Sequence, residues 1–253
     1  KILVQLRGLL EAHREMGFDP PPVAAGTALP SVSGGAVLQV ALRRGSDCAV
    51  SRPAAPPLGE GGASGPMTLE DLRAEIGECT RCKLHRTRTN LVFGEGAPGA
   101  DLVFVGEGPG RDEDLSGRPF VGAAGELLTR IIAAMGLRRD EVYICNVVKC
   151  RPPGNRDPER DEIEACLPYL KRQLGILRPK AICVLGRVAG QGLLGPDFKI
   201  SPARGRWRQF EGIPLMPTFH PAYLLRNPAA KRQVWEDVQK IMGHLGLGGG
   251  KNG

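Results

Sequence analysis

Four short apolar runs, each followed by a stretch of helical periodicity, restrict what this chain can fold into. Residues 101–105, 141–148, 180–186 and 213–219 are dominated by apolar side chains, and runs of that length suit buried strands. Residues 125–135, 158–174, 187–194 and 229–245 space their apolar side chains three and four apart, as helices with one buried face do. Such alternation calls for crossover connections, hence a parallel sheet covered on both faces. One more helix is expected over 68–76, with Thr68 as its N-cap and Asp71 in an acidic first turn.

The first crossover is unusual. Val105 is followed by Gly106-Glu107-Gly108-Pro109-Gly110-Arg111-Asp112-Glu113-Asp114, so glycines and carboxylates fall where a strand hands over to a helix. In open parallel sheets ligands bind at that carboxyl end. Glycine lets backbone approach a ligand, and its exposed N–H groups can hold a negative or developing-negative atom. The stretch matches neither G-x-G-x-x-G nor a P-loop. His220 occupies the same rim, after the fourth run and before Pro221. Beyond it, residues 223–226 are expected to form a loop that exposes apolar and cationic groups together. Leu224 and Leu225 would then be a wedge between base pairs, with Arg226 on phosphate; the bland alternative is a buried turn.

Seven cysteines divide into two groups. Cys145 and Cys183 fall in expected strands and Cys48 in a Pro/Gly-rich stretch, which suits apolar filler or an idle thiol. Cys79, Cys82, Cys150 and Cys166 have the spacing C-x2-C-x67-C-x15-C. Arg81, Lys83, Arg86, Lys149 and Arg151 flank them, and nearby cations favour the thiolate that binds metal. Disulfides would suit a secreted protein. Zinc sites often pair two C-x2-C knuckles, whereas four-thiolate iron–sulfur clusters accept scattered ligands. Both metals stay open on this reading.

Residues 1–18 carry an apolar stripe of Ile2, Leu3, Leu6, Leu9 and Leu10 and read as a helix. Residues 19–66 hold eight Pro and eight Gly; they bury too little apolar surface to offset chain entropy and read as a disordered linker. Residues 67–247 form the folded domain on this reading, and 248–253 a flexible tail. Of the net charge of +7, the first 66 residues contribute six Lys/Arg against five Asp/Glu, so the basic excess lies on the folded part. That excess favours an acidic partner such as nucleic acid. No apolar run approaches the roughly 20 residues of a membrane helix. Residues 1–6 are too short a run for a signal peptide, and Lys1 in place of Met leads us to expect a start further upstream.

Taken together, Gly106-Glu-Gly-Pro-Gly110 with Glu113-Asp114, Gly117-Arg-Pro-Phe-Val-Gly-Ala-Ala-Gly125, Asn146-Val-Val-Lys-Cys-Arg-Pro-Pro153, His220-Pro-Ala-Tyr-Leu-Leu-Arg226 and the four cysteines resemble the family 4 uracil-DNA glycosylases. These are the iron–sulfur branch of the uracil-DNA glycosylase superfamily, and the resemblance covers roughly residues 68–245. It implies a three-layer α/β/α sandwich with a four-stranded central parallel sheet. It also implies a [4Fe-4S] cluster on Cys79, Cys82, Cys150 and Cys166, and monofunctional excision of uracil from single- or double-stranded DNA.

On this resemblance Glu107 orients water or stabilises an oxocarbenium-like sugar, and His220 with the Gly108 N–H stabilises charge at uracil O2. Gly106 lines the substrate pocket, Phe120 stacks on the flipped base, and Asn146 reads its edge. A side chain crowding C5 could exclude thymine, with Glu113 the candidate; Asp114 caps the loop. Lys149, Arg151 and Arg156 are expected to face DNA backbone. A monomer, a cytoplasmic prokaryotic setting at the nucleoid, and a replication or repair partner for the N-terminal arm complete the expectation. Two rivals share the fold. A uracil-trapping relative carries a Lys-Arg-Arg-Ile-His loop where this chain reads Cys150-Arg-Pro-Pro-Gly-Asn-Arg156 without His. A non-catalytic DNA-binding or polymerase-accessory protein would not need Glu107, Asn146 and His220.

Overall fold

In the computed structural model, residues 67–247 are described; the expected helix over 1–18, the linker over 19–66 and the tail over 248–253 lie outside them. The four apolar runs become β2 (Leu102–Gly106), β3 (Tyr143–Asn146), β4 (Ala181–Leu185) and β6 (Ile213–Thr218). They lie parallel in the order β3-β2-β4-β6. Two short antiparallel strands extend this core, β1 (Glu95–Gly96) beside β3 and β5 (Arg208–Phe210) beside β6. The sheet therefore has six strands among the described residues, four of them the expected parallel core. Short polar edge strands shield a sheet from pairing with other chains. They carry no apolar run, which is why the sequence pattern does not reveal them.

Side chains alternate across the central strands and divide the core in two. Val103, Val105, Tyr143, Cys145, Ile182 and Val184 point to one face. There they meet α1 (Leu69–Ile76), α4 (Arg160–Leu177) and α5 (Gly186–Leu194). Leu102, Phe104, Ile144, Cys183 and Met216 point to the other, against α3 (Ala123–Ala134), α7 (Pro221–Arg226) and α8 (Lys231–Leu245). This is the three-layer α/β/α sandwich. Phe104 and its neighbours in β2 are fully buried, each such side chain contributing roughly 1.5–3 kcal/mol.

Helix α1 starts where Thr68 and Asp71 exchange bonds: the Asp71 N–H donates to Thr68 Oγ1 (3.1 Å) and the Thr68 N–H to Asp71 Oδ2 (2.9 Å). Helices α2 (Arg111–Ser116) and α6 (Ile200–Ala203) are too short to announce themselves by periodicity. Residues 223–226, expected as a loop, belong to α7. His220 caps it, Pro221 occupies its first position, where the missing N–H costs nothing, and Leu224 packs inward at 1% exposure.

Candidate active site

The carboxyl ends of β2, β3 and β6 bring the chemistry-bearing residues together. Gly106 ends β2 opposite Asn146, the last residue of β3. A Cβ on Gly106 would lie 2.4 Å from Asn146 Oδ1 and 2.6 Å from the tip of the Phe120 ring. A side chain at Gly106 would therefore displace both. The Phe120 ring is in turn 5.6 Å from the His220 ring, at an interplanar angle of 31°. Thus Gly106, Phe120, Asn146 and His220 share one site.

Asn146 is 1% exposed, and its Oδ1 has no hydrogen-bond partner. Leaving a buried acceptor unpaired costs about 1–3 kcal/mol, and such a group calls for an explanation. Its main chain is held: the Asn146 carbonyl accepts from Lys149 Nζ (2.8 Å), and the Val147 N–H donates to the Gly106 carbonyl (3.0 Å). The carboxamide is thus fixed at its base and open at its acceptor.

His220 accepts a hydrogen bond at Nδ1 from the Ala222 N–H (3.1 Å). In a neutral ring whose Nδ1 accepts, the proton is on Nε2. Burial, with Arg226 nearby, lowers the His220 pKa to about 4 despite Glu113. At neutral pH His220 is therefore an uncharged Nε2–H donor. Glu107 is half-buried just after β2. Burial, reinforced by the charge of Asp157 and opposed by Arg187, raises its pKa to about 7. A carboxyl group poised near neutrality on this rim is suited to proton and charge management.

Phe120 has φ of +51°, a left-handed backbone that costs a bulky residue about 1–2 kcal/mol. Glu113 spans this turn: its Oε1 accepts from the Val121 N–H (2.9 Å) and the Gly122 N–H (3.0 Å), and its Oε2 from the Gly110 N–H (3.0 Å). Both carboxylate oxygens are committed to backbone, which favours a loop-fixing task over crowding a substrate. Asp114, 3% exposed, accepts from the Thr89 N–H (2.8 Å) and so caps a neighbouring segment.

Two surface expectations change. Leu224 is in the core beneath α7 and cannot be a wedge, because helical spacing turns it inward; Leu225 (45% exposed) and Arg226 face solvent. Lys149 is fully buried, its Nζ bound to the Asn146 carbonyl and Gln173 Oε1, so it cannot reach DNA. Arg156 is paired with Glu162 through two hydrogen bonds (2.8 and 2.6 Å) and Arg151 with Asn155 (2.7 Å). Both remain part-exposed.

On the opposite face of the sheet from Phe120, Cys79, Cys82, Cys150 and Cys166 line one cavity. No described cysteine is in a disulfide. Burial raises the thiol pKa of Cys82, of Cys150 despite Arg88, and of Cys166 to about 11 despite Lys149. Burial thus outweighs the flanking cations, contrary to expectation: Lys83 pairs with Glu159 and Asp161, and Arg81 lies over the Tyr169 ring. Two N–H groups point at sulfur: Arg88 Nη1 at Cys150 Sγ and the Lys149 N–H at Cys166 Sγ, both 3.3 Å. Among the described residues no three His, Cys, Asp or Glu side chains are arranged to hold a single metal ion. A zinc ion with Zn–S near 2.3 Å gathers its sulfurs within roughly 4 Å of one another. Four thiols around one cavity, with N–H donors at two of the sulfurs, fit a multi-iron cluster.

Comparison with known proteins agrees with this geometry. A family model described as the uracil DNA glycosylase superfamily matches residues 93–239. A type-4 uracil-DNA glycosylase of Sulfurisphaera tokodaii is 51% identical over 183 residues, covering 69% of this chain and 83% of that protein. Type-4 uracil-DNA glycosylases of Archaeoglobus fulgidus and Thermotoga maritima are 48% and 47% identical. Those alignments cover 69% and 68% of this chain and 92% of each relative.

Proposed function

This chain belongs to the uracil-DNA glycosylase superfamily, and from that premise we propose how its rim residues excise uracil from DNA. The observation that carries the reading is the unpaired, buried Asn146 Oδ1 beside the Phe120 ring. A target base inside a duplex must flip into such a pocket. Uracil stacked on Phe120 offers N3–H to Asn146 Oδ1 and accepts at O4 from the carboxamide N–H. Cytosine presents the reverse pattern and would leave buried groups unpaired, the stronger kind of discrimination.

The C1′–N1 bond breaks with its electron pair on uracil, leaving positive charge on the sugar. The neutral His220 donates from Nε2 to uracil O2, joined by the Gly108 N–H, so negative charge develops against fixed donors. The Glu107 carboxylate stabilises the oxocarbenium-like sugar and orients the water that adds to C1′. As water adds to C1′ its proton passes to Glu107, and the uracil anion takes up a proton from solvent on release; free uracil and an abasic site result, with no covalent enzyme intermediate. Glu113 holds the Gly110 and Phe120 turns in place. Leu225 and Arg226 face the DNA, Arg226 on a phosphate. Uracil-trapping and non-catalytic readings are not favoured by the relatives' names.

Cys79, Cys82, Cys150 and Cys166 would hold a [4Fe-4S] cluster. When bound, that group ties the start of the domain to the segment after β3 and α4, without entering the reaction. Because Asn146 and Cys150 are four residues apart, that tie also steadies the base reader. Reduced thiols and a chromosomal substrate suit a cytoplasmic, nucleoid-associated monomer, and residues 1–66 are left to contact a replication or repair partner.

The test is Asn146→Asp. On uracil- and cytosine-containing oligonucleotides the variant is expected to lose uracil excision by about 100-fold or more, or to gain cytosine excision. Unchanged rates and unchanged base preference would remove Asn146 from recognition and take the reading's main support with it.

A further inference from the structure

We propose that Arg139 and Glu95 are positioning residues that set the stacking face of Phe120; the proposal rests on the stacking role given to Phe120 above. The left-handed backbone at Phe120 persists only if its surroundings over-determine it. From the C-terminal side that is the work of Glu113, which takes the Val121 and Gly122 N–H groups. A Cβ on Gly125 would lie 1.9 Å from the Phe120 carbonyl oxygen, so the first turn of α3 is also packed against this residue's backbone.

The N-terminal side is held from elsewhere. Arg139 Nη2 donates to the Pro119 carbonyl (2.5 Å), the peptide oxygen immediately before Phe120. The same guanidinium is locked on Glu95 Oε1 through Nε (3.0 Å) and Nη2 (2.8 Å), and on Thr129 Oγ1 through Nη1 (3.1 Å). Arg118 Nε adds a bond to Glu95 Oε2 (2.8 Å). The Arg139 and Glu95 side chains are 20% and 24% exposed, so the pair is shielded from much of the screening that weakens surface pairs.

The placement of Glu95 gives the clamp its meaning. Glu95 is on β1, in register with Ile144 of β3, and Asn146 ends that strand two residues later. One guanidinium therefore ties the turn that carries the stacking ring to the strand that carries the edge-reading carboxamide. Ring and carboxamide both border Gly106, so their relative placement sets the space that a bound base must fill. Misplacing either by about 1 Å can cost on the order of 100-fold in rate.

The experiment is a double-mutant cycle on the single-turnover excision rate: Arg139→Met, Phe120→Ala and both together, with the holoprotein throughout. Arg139→Met is expected to slow excision about tenfold or more, and to weaken inhibition by free uracil in parallel. Affinity for abasic-site DNA should stay near that of the parent, and any fall in the thermal midpoint should be the same in both backgrounds. In the Phe120→Ala background the same change should alter the rate by less than about twofold, since groups acting as a unit are non-additive. Arg139→Lys and Glu95→Gln, run through the same cycle, are expected to lose less than Arg139→Met and carry the test if that variant does not fold. Equal penalties in both backgrounds would overturn the proposal. A parent protein inert on uracil would instead overturn the functional reading, so the two failures are distinct.

Discussion

Replacing Glu107 by Gln should make the protein more stable and less active, and the stability gain should depend on pH in a stated direction. The folded-state pKa of Glu107 is raised from 4.5 to about 7, chiefly by burial. The fold therefore binds that proton more tightly than the unfolded chain does. Below pH 4.5 the group is neutral in both states and contributes nothing to the pH dependence. As pH climbs through 4.5 to 7 the unfolded chain ionises first, and stability is progressively lost; above about 7 the loss is complete. A change of this size corresponds to about 3 kcal/mol, discounted to about 2 kcal/mol because Glu107 is half-buried and partly screened by solvent. Paired urea unfolding curves, followed by tryptophan fluorescence, should show Glu107→Gln more stable by about 2 kcal/mol at pH 8.5. The advantage should shrink to roughly 1 kcal/mol or less near pH 5. Single-turnover excision should fall about 100-fold or more at pH 8.5. A gain that is absent, or the same at both pH values, would refute the claim that Glu107 is held at the rim at the expense of stability.

Other consequences follow from the same geometry. The pH profile of kcat/KM should carry an acid limb near 7 from Glu107, rising with pH. Because Asp157 raises that pKa and Arg187 lowers it, Asp157→Asn should move the limb to lower pH and Arg187→Met to higher pH; limbs that stay fixed would exclude the coupling. No limb should arise from His220 near 6.5, since its pKa is lowered to about 4. Leu224→Ala should cost about 2–5 kcal/mol in thermal or urea unfolding. Leu225→Ala should cost no more than about 0.5 kcal/mol yet reduce excision from duplex more than from single-stranded DNA. The opposite ranking would reverse their assignments. Cys166→Ser should lower bound iron, visible absorbance and the thermal midpoint together.

What the sequence makes legible is what depends on local chemistry. The apolar runs became β2, β3, β4 and β6, and Thr68 with Asp71 capped α1, because burial and capping act over a few neighbouring residues. Glu107, Asn146 and His220 could be placed on one rim because each follows or ends a parallel strand. What escapes is set by partners remote in the chain. Lys149 reads as a surface cation until Gln173 and the Asn146 carbonyl enclose it. Glu113 reads as a free carboxylate until three N–H groups converge on it from two turns. Leu224 reads as exposed because residues 223–226 read as a loop, and only the helix over Pro221–Arg226 turns one leucine inward and its neighbour out. The positive φ of Phe120 has no signal in its own side chain; its causes are Gly125, Glu113 and Arg139.

The central claim, that this chain excises uracil and releases the DNA, is most directly tested with an end-labelled uracil oligonucleotide. The reaction is split between alkaline cleavage and an unheated denaturing gel, beside Glu107→Ala and His220→Ala proteins. The account predicts alkali-dependent cleavage at the uracil, no retarded band on the unheated gel, and losses of about 100-fold or more in both variants. A denaturant-resistant band would contradict it in favour of covalent trapping. An intact strand after alkali, from protein that retains its iron, would contradict it altogether.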